Sequence, residues 1–290
     1  MTAQATLGRA GDFIWRNGRL LERRRFPFLF GDGAREPVLA ALRAYQNPDG
    51  GFGEALEPDL RGPDSQPVCG ELALRVLDET GLDASMVRRL CEFLTAIATP
   101  EGGLPFVLPS ARAYPHAPWW EAGDDPPASL NPTAAIAGWL HKHGVRHPWL
   151  DQATEYCWRE IAGSATEEVH ELAAVLTFLE HAPDRARAER EFERIGARIL
   201  GAGLVALDPA ASGYVKKPLD WAPSPRSLCR RLFVDDVLTA HLEALEAEQQ
   251  GDGGWPISWP PVSPTGELEW RGWVTIEALK TLRAYGRLDA

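Results

Sequence analysis

Glu54, Glu57, Asp59 and Asp64 fall within one short stretch, Gly53–Ser65, with Arg61 among them. A carboxylic acid held beside a desolvated cavity loses the hydration that favours its charged form, so its pKa rises and it can deliver a proton. Asp59 and Asp64 are the candidate general acids, and Glu57 and Arg61 the candidate substrate contacts. The competing reading is structural: Asp64 or Ser65 caps the helix that follows, and Glu57 pairs with Arg61 on the surface.

A second cluster is Tyr114-Pro115-His116-Ala117-Pro118-Trp119-Trp120-Glu121, followed by Asp124-Asp125 and Asn131-Pro132-Thr133. Long ordered loops are disproportionately functional. Trp119 and Trp120 can line an apolar pocket, face a sugar ring or stabilise a carbocation through their π faces. His116 can relay a proton, and Asn131, where the loop meets a helix, is a candidate substrate contact. The alternative is a proline-rich flap. A third cluster, Pro256–Trp273, supplies Trp259, Glu269 and Trp270 as possible cavity lining. His170 and Glu171 open an apolar helix and can face the cavity, with His170 a candidate substrate contact; a lone histidine there is more often a satisfied core residue. His141, His143 and His147 have loosely metal-like spacing but no acidic neighbour in sequence, so no metal and no cofactor is expected. The chain has no G-x-S-x-G, P-loop, G-x-G-x-x-G or H-E-x-x-H string, which removes the common hydrolase, kinase and dehydrogenase readings.

The elements that must carry these residues are announced by an internal repeat. Leu39–Phe52 and Leu242–Trp255 share the pattern L-x-A-L-x-A-x-Q-x-x-D-G-G-aromatic, and a worn copy runs Leu94–Leu104. The period is roughly 50 residues, a helical hairpin plus a loop. The L-x-A-L part has helical spacing. The glycines end the helix and permit positive φ. The Asp holds the turn, the Gln bonds backbone at a helix end, and the aromatic ring packs over the joint.

Apolar helices are expected near 8–24, 65–79, 131–143, 167–180 and 269–284. Charged ones are expected near 35–46, 84–97, 148–161, 185–200 and 234–249, with a short helix near 225–232. Such an alternating series buries its apolar members by closing into a ring of two concentric helical layers. The expected fold is therefore all-α: a single (α/α) toroid of five or six hairpins spanning residues 1–290.

At Gln46–Phe52 and Gln249–Trp255 the chain resembles the QW motif of squalene-hopene and oxidosqualene cyclases, and the Gly-Gly repeats of protein prenyltransferase β subunits. The resemblance implies a toroid with a central cavity, QW turns that act as braces, and a terpenoid cyclase-like chemistry on an isoprenoid or other apolar small molecule. The chain also departs from those families. The D-x-D-D acid motif of class II cyclases is reduced to Phe233-Val234-Asp235-Asp236, which reads better as a helix cap. No D-x-C string matches the prenyltransferase zinc site, and no D-D-x-x-D magnesium motif occurs. Function is thus read as a metal-free, acid-initiated cyclase, isomerase or lyase. The alternatives are a carbohydrate-active α/α toroid and a non-catalytic ligand-binding scaffold.

Composition agrees with a protein able to bury a large core: 44% of the 290 residues are apolar and 24% charged. The formal net charge of −11 argues against nucleic acid and anionic membrane as partners. No apolar run approaches the length of a transmembrane helix. Cys69, Cys91, Cys157 and Cys229 form no CxxC pair, and Met1–Ala10 lacks the apolar core of a signal peptide. Free thiols and a cytoplasmic location are expected. Composition sets no oligomeric state.

Overall fold

The computed structural model describes residues 2–288 and is mostly helical. Among these residues the α-helices are α1 (Ala3–Asn17), α2 (Leu20–Phe30), α3 (Arg35–Arg43), α4 (Pro67–Thr80), α5 (Ala84–Ile97) and α6 (Leu130–Lys142). They continue with α7 (Pro148–Gly163), α8 (Val169–His181), α9 (Arg185–Gly201), α10 (Pro218–Trp221), α11 (Asp235–Ala247) and α12 (Pro264–Ala284). Two-residue strands β1 (Leu104–Pro105) and β2 (Ala128–Ser129) pair antiparallel. No described helix is long and apolar enough to cross a membrane.

The chain divides into two compact units. One comprises Met1–Val38 with Arg198–Ala290, the other Leu39–Ala197. In the Leu39–Ala197 unit, α4 and α6 bury most of their circumference, whereas α5 and α7 bury a single stripe. α6 packs against α4, α7 and α8. Its Ala134–Gly138 run lets the backbones approach: a Cβ on Gly138 would stand 2.6 Å from the Thr177 carbonyl oxygen. In the other unit α12 packs on α1, α2 and α11. Ala10, Leu242, Trp255, Leu279 and Leu282 share one apolar cluster there.

Helix starts follow local chemistry. Thr2, Asp83 and Ser263 accept backbone N–H bonds at the heads of α1, α5 and α12. Pro67, Pro148 and Pro264 occupy first-turn positions where no N–H is missed.

Three expectations need correction. The helix expected over 8–24 is two helices, because Gly18 adopts an extended backbone after Asn17. α1 then buries one stripe, Thr6, Ala10, Gly11, Phe13 and Ile14, as the charged helices do. The short helix near 225–232 is a 3-10 turn over Leu228–Leu232, and α10 went unforeseen. Asp235 and Asp236 lie in the first turn of α11 rather than at its cap, which is Val234; carboxylates there suit the helix dipole.

Candidate functional site

The Gly-Gly turns are built alike. In Gln46–Phe52, Asn47 N donates to Gly51 O and Gly50 N to Asn47 O, at 2.9 and 3.0 Å. The Asp49 carboxylate accepts from Gly51 N at 2.9 Å. In Gln249–Trp255, Gln250 N donates to Gly254 O, Gly253 N to Gln250 O, and Asp252 accepts from Gly254 N. The worn copy keeps the backbone: Thr99 N donates to Gly103 O and Gly102 N to Thr99 O. Each glutamine amide reaches two carbonyls, its own turn and the first turn of another helix. Gln46 bonds Gly50 O and Met86 O; Gln249 bonds Gly253 O and Thr6 O. Phe52 and Trp255 are buried over the joints. These residues are committed to structure.

The segment after the first turn differs. Glu54 and Ala55 both adopt positive φ, 55° and 57°, a sparsely occupied region for residues with a Cβ. Glu54 N donates to Pro63 O and Ala55 N to Gly62 O, both at 3.2 Å. The chain then turns inward, so that Glu57 is 2% and Asp59 1% exposed. Asp64 is exposed, so the two candidate acids separate. Glu57 is buried rather than lying on the surface as the structural reading had it.

The tryptophan loop comes to this segment. Leu60 pairs antiparallel with His116, Ala117 N donates to Asp59 O at 2.9 Å, and Arg61 N donates to Pro115 O at 3.0 Å. Trp120 Nε1 donates to Glu57 Oε1 at 3.1 Å. The Trp120 ring stacks on Phe106, centroids 4.9 Å apart and planes 23° from parallel. Trp119 is 43% exposed whereas Trp120 is buried, so the two tryptophans do not form one wall. His116 Nδ1 lies 2.6 Å from Tyr114 O and Nε2 3.3 Å from Glu121 Oε1. The carbonyl contact outweighs partial burial and, with the Glu121 carboxylate, raises the imidazole pKa. Phe106 and Gln66 were not singled out from the sequence. Gln66 Oε1 accepts from Leu108 N at 2.8 Å and its Nε2 donates to Ser110 at 3.0 Å, fixing the start of the loop. Only their places, beside the worn Gly-Gly turn and just before Pro67, hinted at this.

Compared with known proteins, the chain matches no protein-family model and no curated protein.

The remaining candidates lie elsewhere. Asn131 sits at the start of α6 with a non-helical backbone, its N–H donating to Ser129 Oγ at 3.3 Å. His170 Nδ1 contacts Glu168 Oε1 at 2.6 Å, and Glu168 caps α8 through the N–H groups of His170 and Glu171. Desolvation alone would raise the Glu168 carboxyl pKa. The His170 ring and these N–H donors overcome it and lower the value to about 2. In the unit containing α12, Trp259 meets Trp270 edge-to-face at 5.2 Å and Tyr214 at 5.9 Å, with Glu269 beside Trp270 in sequence.

The histidines near the end of α6 each have a partner. His141 Nε2 lies 2.8 Å from Thr154 Oγ1. His143 and Lys142 both contact Asp78, at 2.9 and 2.7 Å, the acidic partner that local sequence lacked. His147 caps α7. Among the described residues no group of His, Cys, Asp and Glu is arranged to hold a metal ion. The four cysteines are buried free thiols; burial, then Glu92, raises the Cys91 pKa to about 11.

Proposed function

We propose that the chain is a terpenoid cyclase-like α/α toroid that acts on an isoprenoid or other apolar small molecule by metal-free, acid-initiated chemistry. The observation that carries the reading is Asp59, a buried carboxyl group in a segment bonded to the loop that holds the Trp120–Phe106 stack. In this reading the Asp59 carboxyl gives its proton to an alkene carbon. The alkene π pair forms the new C–H bond and leaves a cation on the neighbouring carbon, which aromatic π faces stabilise. Ring closure or double-bond migration follows, and loss of a proton ends the sequence. Glu57 takes a different part: its two oxygens accept from Trp120 Nε1 and Asp59 N.

The ring architecture is supported by how the Gly-Gly turns dock. The turn at Gln46–Phe52 lies on α5 and the turn at Thr99–Leu104 on α7; the turn at Gln249–Trp255 lies on α1. The last repeat is therefore continued by the first helix of the chain, as a closed series requires.

The test is incubation with linear isoprenoid alcohols and hydrocarbons of increasing length in deuterated water, with products read by gas chromatography and mass spectrometry. Cyclised or isomerised product carrying deuterium, lost in Asp59→Asn, is expected. Equal product from wild type and Asp59→Asn, or none from any substrate, overturns the reading.

A second reading, a carbohydrate-active toroid, is favoured by the half-exposed Tyr214 ring packed edge-to-face with Trp259, which meets Trp270 in the same way, with Glu269 next to Trp270 in sequence. Quenching of tryptophan fluorescence by oligosaccharides, abolished in Trp259→Ala, would select it.

A further inference from the structure

We infer that Glu57 is a positioning residue: its carboxylate clamps the tryptophan loop onto the acidic segment and sets where Asp59 stands. The inference rests on the reading of Asp59 as the acid for its chemical meaning, whereas the clamp is visible in the geometry. Glu57 Oε1 accepts from the Trp120 indole N–H, 63 residues along the chain, at 3.1 Å. Glu57 Oε2 accepts from the backbone N–H of Asp59 at 3.1 Å. One buried side chain thus holds the ring of one loop and the backbone of the other.

Both arms require an acceptor. A buried carboxylate is costly unless its oxygens are hydrogen-bonded, and here each oxygen meets an N–H. The isosteric amide cannot replace it. Glutamine offers one acceptor oxygen and one NH2 donor, so whichever way it is turned, an N–H of Trp120 or of Asp59 faces a donor. The site therefore calls for Glu and not Gln at position 57.

The surrounding backbone shows why a clamp is needed here. Glu54 and Ala55 are held at positive φ, and such conformations persist only where the surroundings over-determine them. The paired bonds to Pro63 and Gly62 fix one side of the segment. On the other side, Ala117 N to Asp59 O and Arg61 N to Pro115 O fix its backbone to the tryptophan loop. Glu57 is the side chain that ties this frame to the Trp120–Phe106 stack.

The test is solvent exchange of N–H groups followed by NMR on the intact chain. Trp120→Phe identifies the Trp120 indole signal among the 11 tryptophans. In the wild type that signal should exchange more slowly than the Trp119 indole. Glu57→Gln should shift the Trp120 signal or accelerate exchange at Trp120 Nε1 or Asp59 N by about tenfold or more, with the exchange of α5 and α7 amides unchanged. Unaltered shift and exchange in Glu57→Gln would overturn the assignment. Should Glu57→Gln fail to fold, Trp120→Phe, which removes only the indole donor and keeps an aromatic ring against Phe106, must accelerate exchange at the Asp59 and Ala117 amides; unchanged exchange there overturns it equally. Product formation reads the acid and exchange reads the clamp, so either can fail without the other.

Discussion

The guanidinium of Arg9 donates to the backbone carbonyl of Gln250, 241 residues away in sequence. Arg89 makes the same bond to the carbonyl of Asn47, at 2.6 Å. In both cases the arginine lies three residues after the one whose carbonyl receives the repeat glutamine, Thr6 before Arg9 and Met86 before Arg89. The first helix of the chain and α5 thus receive their turns through the same two positions.

The two glycines of each turn are required for different reasons, and this sets the first prediction. Gly50 and Gly253 have φ of 94° and 97°, and a Cβ on them would stand 2.3 Å from Arg89 O and 2.1 Å from Arg9 O. Gly50→Ala and Gly253→Ala should each destabilise by about 2 kcal/mol or more, from left-handed strain plus a clash with helix backbone. Gly251→Ala, with nothing within 4 Å, should stay within about 0.5 kcal/mol of wild type. Urea denaturation of the three variants checks the contrast.

Much of this was legible in the residues. The paired leucines and the Q-x-x-D-G-G-aromatic strings announced helices, turns and braces because each is a local pattern. The Asp49 and Asp252 bonds to Gly51 N and Gly254 N came out as the turn chemistry required. The second glycines were expected to need positive φ, yet Gly51 and Gly254 are excluded from bearing a side chain by packing, against Ser65 and Phe93 in one turn and Phe13 in the other. Those neighbours are remote in sequence. The same holds for Asp78 beside His143. It holds again for the split between Trp119 and Trp120, which share a 3-10 turn and differ only in what the other loop presents. That Glu57 joins the acidic segment to the tryptophan loop was not legible, because its partner is an indole N–H in another loop.

His181 gives a pH prediction. Burial first, then the positive charges of Lys142, Arg185 and His143 against the opposing Asp78, lowers its pKa to about 4. A histidine that is hard to protonate when folded but titrates near 6.5 when unfolded penalises folding as pH falls. The loss should begin below about pH 6.5, grow until about pH 4 and reach at most about 3 kcal/mol. His181→Gln should flatten the stability curve across that window. Parallel curves for wild type and variant would show that the group carries no such linkage.

Glu168 works in the opposite sense. Its carboxyl, lowered to about 2 by the His170 ring and two N–H donors that outweigh desolvation, contributes stability that is complete above about pH 4.5 and is lost as pH falls toward 2. Glu168→Ala removes the cap of α8 and should cost about 1 kcal/mol at neutral pH. Amide exchange should quicken first at His170 and Glu171, whose N–H groups the carboxylate holds.

The docking of the Gln249–Trp255 turn on α1 predicts how the ends of the chain behave. α1 provides Thr6 O and the Arg9 guanidinium to that turn, and Ala10 joins Trp255, Leu242 and Leu279 in one apolar cluster. Deleting residues 2–17 would expose that cluster and remove an acceptor of the buried Gln249 amide, so the truncated chain should lose cooperative unfolding or aggregate. Chain continuity, by contrast, is not what holds α1 there. A circular permutant with new ends between Ser212 and Gly213, both exposed, and the old ends joined by a flexible linker of about ten residues should fold with stability within about 2 kcal/mol of the parent. A truncation that melts like the full chain would refute the continuation of the last repeat by the first helix. A permutant that cannot fold would show that the native order of the ends matters for reasons outside this docking.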